Sequence, residues 1–514
     1  MKLDDLISVI KEKKIIGKYN PDVSGISCNS GDTTKGSLFV AIKGERFDGH
    51  SFIKDAVSKG AGVVVVEDVP QDALGATVVA VPDSRLALAQ IAAGFYGNPS
   101  SDLVLIGITG TNGKTTTAYL VESIFKAGGA KSGVIGTIDY HYGDKLIPAS
   151  MTTPESLDIQ KMLREMTDHG ITHVVTEVSS HALDLKRVDS LHFNAGVFTN
   201  LTQDHLDYHK TMDHYYKSKA RLFNELLPQT GGKKDVYAIV NMDDPFGRRL
   251  AEDTVSNIIG YGVNTRTQVF PEHTRITLEG ISAEINTPGG KLGVKSPLMG
   301  EFNLYNILAA VSVGISQDIS LEDIKKGIQA LDSVSGRFER IENREGIHVI
   351  VDYAHTSDAL ERTLMTLNTL SSGRIITVFG CGGDRDTLKR PLMGRISGKY
   401  SDLSIVTSDN PRTEDPDTII CEIEEGLKGS GVKKLTPTDL IRDSRQKGYI
   451  AIVNRGEAIR YAIDAARAQD TVLIAGKGHE DYQVVGDKRI TFDDRQEAGN
   501  VIAEKRKRAS LGHG

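Results

Sequence analysis

Residues 103–118 read Leu103-Val104-Leu105-Ile106-Gly107-Ile108-Thr109-Gly110-Thr111-Asn112-Gly113-Lys114-Thr115-Thr116-Thr117-Ala118, and this stretch decides the fold. It opens as an apolar run of strand length. A glycine-rich turn follows, and Leu120, Val121, Ile124 and Phe125 then recur at helical spacing until Gly128-Gly129 supplies the stop. Strand, glycine loop, Gly-Lys-Thr and helix together turn backbone N–H groups and a helix N-terminus toward one point, which suits a polyphosphate. Lys114 would then neutralise β/γ oxygens, and the Thr115 hydroxyl would ligate Mg²⁺. The strict GxxxxGK[ST] spacing fails, because Ile108 stands where the first glycine should be. A plain glycine turn joining strand to helix is the bland alternative.

Working outward, the first ~100 residues hold strand-like runs at Ser37–Ile42, Ala61–Glu67 and Thr77–Val81. Phe52, Ile53, Ala56 and Val57 between them have helical spacing, and Tyr96-Gly97-Asn98-Pro99-Ser100 reads as a boundary. A second unit runs to about Ala330, with strands expected at Val174–Val178, Val197–Asn200 and Tyr237–Asn241, then hairpin-like strands from Gln268 to Ser296. The third unit, from about Ser335, has strand signals at His348–Asp352, Arg374–Phe379, Leu403–Ser408 and Thr471–Ala475. Each ends in a polar or Gly-rich segment: DYAHT, GCGGDRD, SDNPRTEDP and GKGHEDY. Ligands of parallel α/β sheets bind beyond the carboxyl ends of the strands, so four such ends in one unit predict a ligand site. The expectation is an α/β chain of three domains, 1–100, 101–333 and 334–514, the middle one P-loop ATPase-like with a mostly parallel sheet and the last Rossmann-like.

Composition narrows the function. A net charge of -7 from 61 basic and 68 acidic residues excludes a generally basic nucleic-acid coat. Three cysteines, Cys28, Cys381 and Cys421, are too few and scattered for a disulfide framework or a zinc cluster. Apolar runs such as Ala61–Val66 fall short of the ~20 residues a membrane helix needs. The start, MKLDDLISVIKEKK, is unlike a signal peptide, so a cytoplasmic monomer acting on small molecules, with no nucleic-acid or membrane partner, is expected. The terminal Lys505-Arg506-Lys507-Arg508 run reads as a solvated end or an anion contact.

Two further clusters carry chemistry. Glu177 ends a strand in TEVSSH, where a carboxylate beside a phosphate loop suits Mg²⁺, a surface cap being the alternative. The segment NLTQDHLDYH follows another strand, and His205 is its candidate ligand. Asn303 and Asn306 in GEFNLYN stand at the start of a helix, where asparagine is often only a cap.

GITGTNGKTTT resembles the ATP loop of the Mur ligase family, the amide-forming enzymes of peptidoglycan precursor synthesis, and of the related folylpolyglutamate synthetases, which tolerate this spacing. The resemblance spans nearly the whole chain in family order. It implies ATP contacts at Gly110, Thr111, Asn112, Gly113, Lys114, Thr115 and Thr116, an adenine-side contact at Asn303, and Arg337 and Asp352 closing on phosphate and on the ribose or hinge. It implies two Mg²⁺ sites held by Thr115, Glu177, His205 and a CO₂-derived carbamate on Lys219 in HYYKSKARLF, with Lys217 the alternative register. Lys114, Lys219, His205 and Glu177 are thus the expected catalytic group.

The resemblance makes the first domain the uridine-binding one. It puts Ser30 and Glu45-Arg46-Phe47 on the uridine side of a UDP-N-acetylmuramoyl-dipeptide. Thr152, Thr153, Ser179 and Arg187 then fall on its sugar, pyrophosphate or peptide. Asn29-Ser30-Gly31 and Leu185 depart from some relatives. DNPR, within Asp409-Asn410-Pro411-Arg412-Thr413-Glu414-Asp415, resembles the motif by which one branch of the family takes meso-2,6-diaminopimelate. A guanidinium reads a distal carboxylate through two parallel hydrogen bonds, unless Arg412 merely pairs with Glu414 or Asp415. Arg385, Gly476 and Glu480 complete the implied pocket, Lys389-Arg390 either share its field or coat the surface, and His355 is a candidate proton acceptor. The expected reaction is ATP-dependent amide formation through an acyl phosphate. The alternatives are a lysine-adding sister ligase or a P-loop switch.

Overall fold

The structure, a computed structural model, describes residues 1–17, 20–44, 47–71, 75–436 and 446–511. They fall into two compact units, the first comprising Met1–Pro271, Ile285–Leu292 and Tyr305–Gly327 and the second Glu272–Glu284, Gly293–Leu304 and Ile328–Gly514.

The first unit contains two sheets. The smaller has five strands in the order Lys14–Ile16, Thr77–Ala80, Val63–Val66, Ser37–Val40, Gly25–Ser27. Val63–Val66 is four buried valines, as expected where both faces of a parallel strand are covered. The larger sheet has eight strands in the order Asn257–Tyr261, Tyr237–Asn241, Ala195–Phe198, Val104–Thr109, His173–Glu177, Ser132–Ile135, Asp139–Tyr142, Lys145–Pro148. Its first six are parallel and its last two antiparallel. Val104–Thr109 lies between Ala195–Phe198 and His173–Glu177, so the chain leaves it at a crevice where the winding reverses. Asp83 ties the two sheets' surroundings together: its side chain caps helix Ser84–Phe95 by accepting from Leu86 N and also pairs with Lys186 at 2.5 Å.

In the second unit a six-stranded sheet runs Glu339–Ile341, His348–Asp352, Thr471–Ala475, Ile375–Phe379, Leu403–Val406, Gly448–Ala451. All its neighbours are parallel except the first pair. Asp352 is in register with Ala475, and Phe379 with Val406, so the four decorated strand ends open on one edge.

The expected strands are present within a residue or two. Phe270–Thr277, Gly280–Thr287 and Gly290–Ser296 form the anticipated hairpin-like sheet. The expected helix around Lys219 spans Met212–Arg221 and continues as a π-helical turn, Leu222–Leu226. One of the two alternatives for Asn303 falls away. Asn303 is not the residue that caps the helix, because the helix begins at Glu301; its buried Nδ2 donates to Met299 O at 2.8 Å. Among the described residues no helix is long and apolar enough to cross a membrane.

Candidate active site

The loop after strand Val104–Thr109 is shaped by glycines where any side chain would be strained and crowded. Gly110 has φ +144° and Gly113 φ +88°, and Gly113 leads directly into helix Lys114–Ala127. A Cβ on Gly110 would lie 1.8 Å from Thr199 Oγ1, and one on Gly113 2.4 Å from Asn306 Oδ1. The segment after strand Ala195–Phe198 locks the loop from the side. Thr111 N donates to Asn200 O at 2.8 Å, Asn112 N to Asn200 Oδ1 at 3.0 Å, and Thr199 Oγ1 to Asn112 O at 2.6 Å. Lys114 Nζ curls back onto the carbonyls of Gly110 and Thr111, each at 3.0 Å. Thr116 is buried beside it.

Glu177 is buried, which removes the surface-cap alternative. Thr115 Oγ1 donates to its Oε2 at 3.1 Å, Thr137 Oγ1 to the same oxygen at 2.9 Å, and Thr137 N to Oε1 at 2.8 Å. This cluster of carboxylate and hydroxyl oxygens suits a hard divalent cation. Thr137 escaped the sequence reading, although its place just past strand Ser132–Ile135 is the kind of strand-end signal used elsewhere.

Lys219 is buried, and Nζ donates to Gly110 O at 2.9 Å above the Tyr215 ring. Burial and nearby Lys114 hold its proton affinity well below that of an ordinary lysine, with Asp204 opposing. Lys217 points elsewhere, pairing with Asp213 at 2.8 Å on the exposed face. His205 is exposed, at φ +52°, with its ring 6.1 Å from that of Tyr215, whose hydroxyl lies 3.2 Å from Thr111 Oγ1. Glu177, Lys219 and His205 thus reach the loop through Thr115, Gly110 and Tyr215. Asn306 accepts from Thr117 Oγ1 at 3.3 Å.

The residues implied for the nucleotide sugar are partly engaged already. Thr152 Oγ1 meets Thr137 Oγ1 at 3.1 Å; Thr153 Oγ1 donates to Glu177 O at 2.8 Å and accepts from Ser179 N at 3.0 Å. Arg187 pairs with Glu155 at 2.8 Å. Ser30 is buried and Phe47 is 72% exposed, while Glu45 and Arg46 lie outside the described residues.

In the second unit the Asp352 carboxylate accepts from Phe338 N (2.8 Å), Ala354 N (3.0 Å) and Thr363 Oγ1 (3.2 Å). That fastens the start of strand Glu339–Ile341. Burial nonetheless raises this carboxyl above its usual range. Arg337 lies over the Tyr353 ring at 4.5 Å. A Cβ on Gly336, φ +64°, would lie 2.0 Å from His479 N, so glycine brings this loop against Gly476–Glu480. His355 is half-buried; the loss of solvent around the ring, with Lys389 nearby, lowers its proton affinity, and its Nδ1 lies 2.8 Å from Tyr353 O.

Arg412 does not pair with Glu414 or Asp415. Glu414 is taken by buried Arg390, through two bonds of 2.9 Å, so Arg390 is a structural clamp and not a surface coat. Lys389 donates to His355 O at 2.9 Å. Arg412 Nη1 donates to Gly383 O at 2.7 Å, and its backbone, at φ +52°, bonds to a hairpin absent from the sequence reading, Tyr482–Val485 with Lys488–Thr491. Arg385 is exposed, its Cγ within 3.8 Å of where a Gly382 Cβ would stand. Asp409, Asn410, Pro411 and Gly476 are buried, and Asn410 Nδ2 donates to Glu480 Oε2 at 3.0 Å.

A phosphate loop backed by buried oxygen ligands, and a sheet edge carrying charged amino-acid-binding candidates, are the parts of an ATP-using carboxylate–amine ligase. Residues 22–96 match the family description "Mur ligase family, catalytic domain", 108–314 "Mur ligase middle domain" and 336–478 "Mur ligase, glutamate ligase domain". The chain belongs to the Mur ligase family and has its three-domain α/β fold. It is 49% identical over 514 residues, all of both chains, to a UDP-N-acetylmuramoyl-L-alanyl-D-glutamate--2,6-diaminopimelate ligase of Geobacter metallireducens. Over 506 residues, 98% of this chain and the whole relative, it is 42% identical to one from Clostridium acetobutylicum bearing the same name with the suffix 1. A solved structure of a ligase with that name superposes with a TM-score of 0.70 at 29% identity, covering 98% of this chain and 99% of that one. A MurF ligase from Thermotoga maritima in complex with ADP shares the fold at 18% identity and a TM-score of 0.61, covering 94% and 98%.

Proposed function

We propose that this chain joins meso-2,6-diaminopimelate to the D-glutamyl carboxylate of UDP-N-acetylmuramoyl-L-alanyl-D-glutamate at the expense of ATP, in the cytoplasm and as a monomer. In this reading residues 1–100 hold the uridine end, 101–333 the ATP and 334–514 the amino acid. The substrate carboxylate attacks the γ-phosphorus to give an acyl phosphate. The amine then attacks that carbonyl and phosphate leaves. The chain's task is to gather anions and stabilise developing charge. Lys114 leaves its two carbonyls for the β/γ oxygens, and the N–H groups of the first helical turn, Lys114, Thr115 and Thr116, face the phosphates, while those of Thr111 and Asn112 stay bonded to Asn200.

Thr115, Glu177, His205 and carbamylated Lys219 would hold two Mg²⁺, which supply charge neutralisation between carboxylate and triphosphate. The Lys219 environment suits the modification. CO₂ adds only to a neutral amine, and a carbamate nitrogen keeps one N–H for Gly110 O. Arg385 would take the carboxylate beside the reacting amine, and Glu480 with the Gly476 carbonyl its ammonium before deprotonation.

The observation that carries the amino-acid assignment is Arg412, with its neighbouring acids committed elsewhere, in a chain 49% identical end to end to a relative bearing that activity in its name. Phosphate release measured with a panel of amino acids tests it. Diaminopimelate should be used and lysine poorly; equal use of both would remove the assignment.

A further inference from the structure

Resting on that reading, we propose that Lys477 is a positioning residue. Its ammonium fixes Glu480 and sets the charge of the carboxylate cluster that receives the incoming amino group.

Lys477 is fully buried. Its Nζ donates to Asn410 Oδ1 at 3.1 Å, Glu480 Oε2 at 3.2 Å and Asp409 Oδ1 at 3.3 Å. An ammonium has three donors, and here each finds an acceptor on a different residue. One side chain thereby joins the segment after strand Leu403–Val406 to the segment after strand Thr471–Ala475. Asn410 completes the join, since its Nδ2 donates to Glu480 Oε2 at 3.0 Å while Oδ1 also accepts from Val484 N at 3.0 Å. Glu480 Oε2 therefore receives two donors, whereas no donor reaches Oε1 among the described residues. That oxygen is held in place and open.

Charge points the same way. Asp409 and Glu480 bring two negative charges and Lys477 one positive. The neighbouring Arg455 and Asp494 form a buried bidentate pair, two bonds of 2.7 Å, and neutralise each other. Among the three groups in mutual contact, Asp409, Glu480 and Lys477, one negative charge is left over, which matches one substrate ammonium. Without Lys477 two carboxylates would share a buried site with no cation in direct contact, and one would take up a proton or turn away. Burial works against an ionised Asp409, but Lys477 and Arg455 outweigh it and keep the carboxyl below its usual range.

The test uses the full-length chain and separate KM values for ATP, the UDP-dipeptide and diaminopimelate. Lys477→Met keeps the stem and removes the charge. It should raise the KM for diaminopimelate by at least about tenfold and leave the other two KM values and kcat within about threefold. The double variant Lys477→Met with Asp409→Asn removes one charge of each sign and should recover most of that KM. An unchanged diaminopimelate KM in folded Lys477→Met overturns the proposal. So does a parallel fall in all parameters and in Tm that the double variant does not relieve. If the single variant does not fold, the double variant decides alone: a KM near wild type supports the proposal and a tenfold rise overturns it. A wild-type chain that ignores diaminopimelate but uses another amino acid refutes the reading above instead, and the KM comparison is then made with that amino acid.

Discussion

Two buried lysines, Lys219 in the first unit and Lys477 in the second, have opposite surroundings. Lys219 touches one neutral carbonyl, with another lysine close enough to disfavour its charge and no carboxylate in ion-pair range among the described residues. Lys477 touches two carboxylates and an amide oxygen. Burial alone cannot distinguish them. Partners do: burial and Lys114 disfavour the charge on Lys219, whereas Lys477 is held by three acceptors, two of them carboxylates. A lysine of the first kind can be chemically changed by CO₂, and one of the second kind can only hold its neighbours.

The sharpest way to break this contrast is Lys219→Ala. Loss of a group that orients charge at the phosphoryl centre should lower kcat by about 10²–10³-fold, with partial return on adding short carboxylates. Full activity without them would refute the carbamate, and a carbonyl signal from ¹³CO₂ absent in the variant would support it. Next in size is Arg412→Ala, which belongs to the charge-reading half of the contrast. It should reduce the preference for diaminopimelate over lysine by roughly 10- to 100-fold, measured as the ratio of kcat/KM values; an unaltered ratio would take distal recognition away from Arg412. A smaller effect is expected from Gly110→Ala. The new methyl would displace Thr199, which holds Asn112 O, and strains a backbone at φ +144°. Thermal unfolding should show a loss of about 1–3 kcal/mol, and the KM for ATP should rise.

Legibility in the sequence followed locality. Strand, loop and helix around Gly113 are contiguous, so residues 103–127 could be read without knowing the rest of the fold. Glu177 was legible because a carboxylate at a strand end is a local signal too. Lys477 was not, because within GKGHEDY it is one polar loop residue among several. Its burial arises only when the Asp409-Asn410 and Glu480 segments close over it. Arg390 likewise looks like surface charge until Glu414 and Glu422 fold against it. The cap reading of Asn303 failed for a different reason, since Glu301 starts the helix before the asparagine is reached and the amide turns back to Met299.

If partners decide whether burial prevails, a histidine in the same unit as Lys219 but flanked by carboxylates should behave in the opposite sense to that lysine. His141 is such a group. Its Nδ1 is 2.5 Å from Asp139 Oδ1 and its Nε2 3.0 Å from the buried Glu122 Oε1. Burial alone would lower its pKa, yet the two carboxylates raise it from 6.5 to about 9. Because the folded value lies above the unfolded one, the charged imidazole contributes its full stabilisation below pH 6.5. That contribution declines as pH rises and is gone once the pH has passed about 9. Its ceiling is about 3 kcal/mol, reduced by the solvent that reaches the ring. His141→Gln keeps hydrogen bonding but cannot carry the charge. Unfolding curves should therefore show the variant less stable than wild type at pH 6, with the gap narrowing toward pH 9.5. A gap that stays constant across that range would mean the ring's charge contributes nothing, and would cost the comparison its simplest explanation.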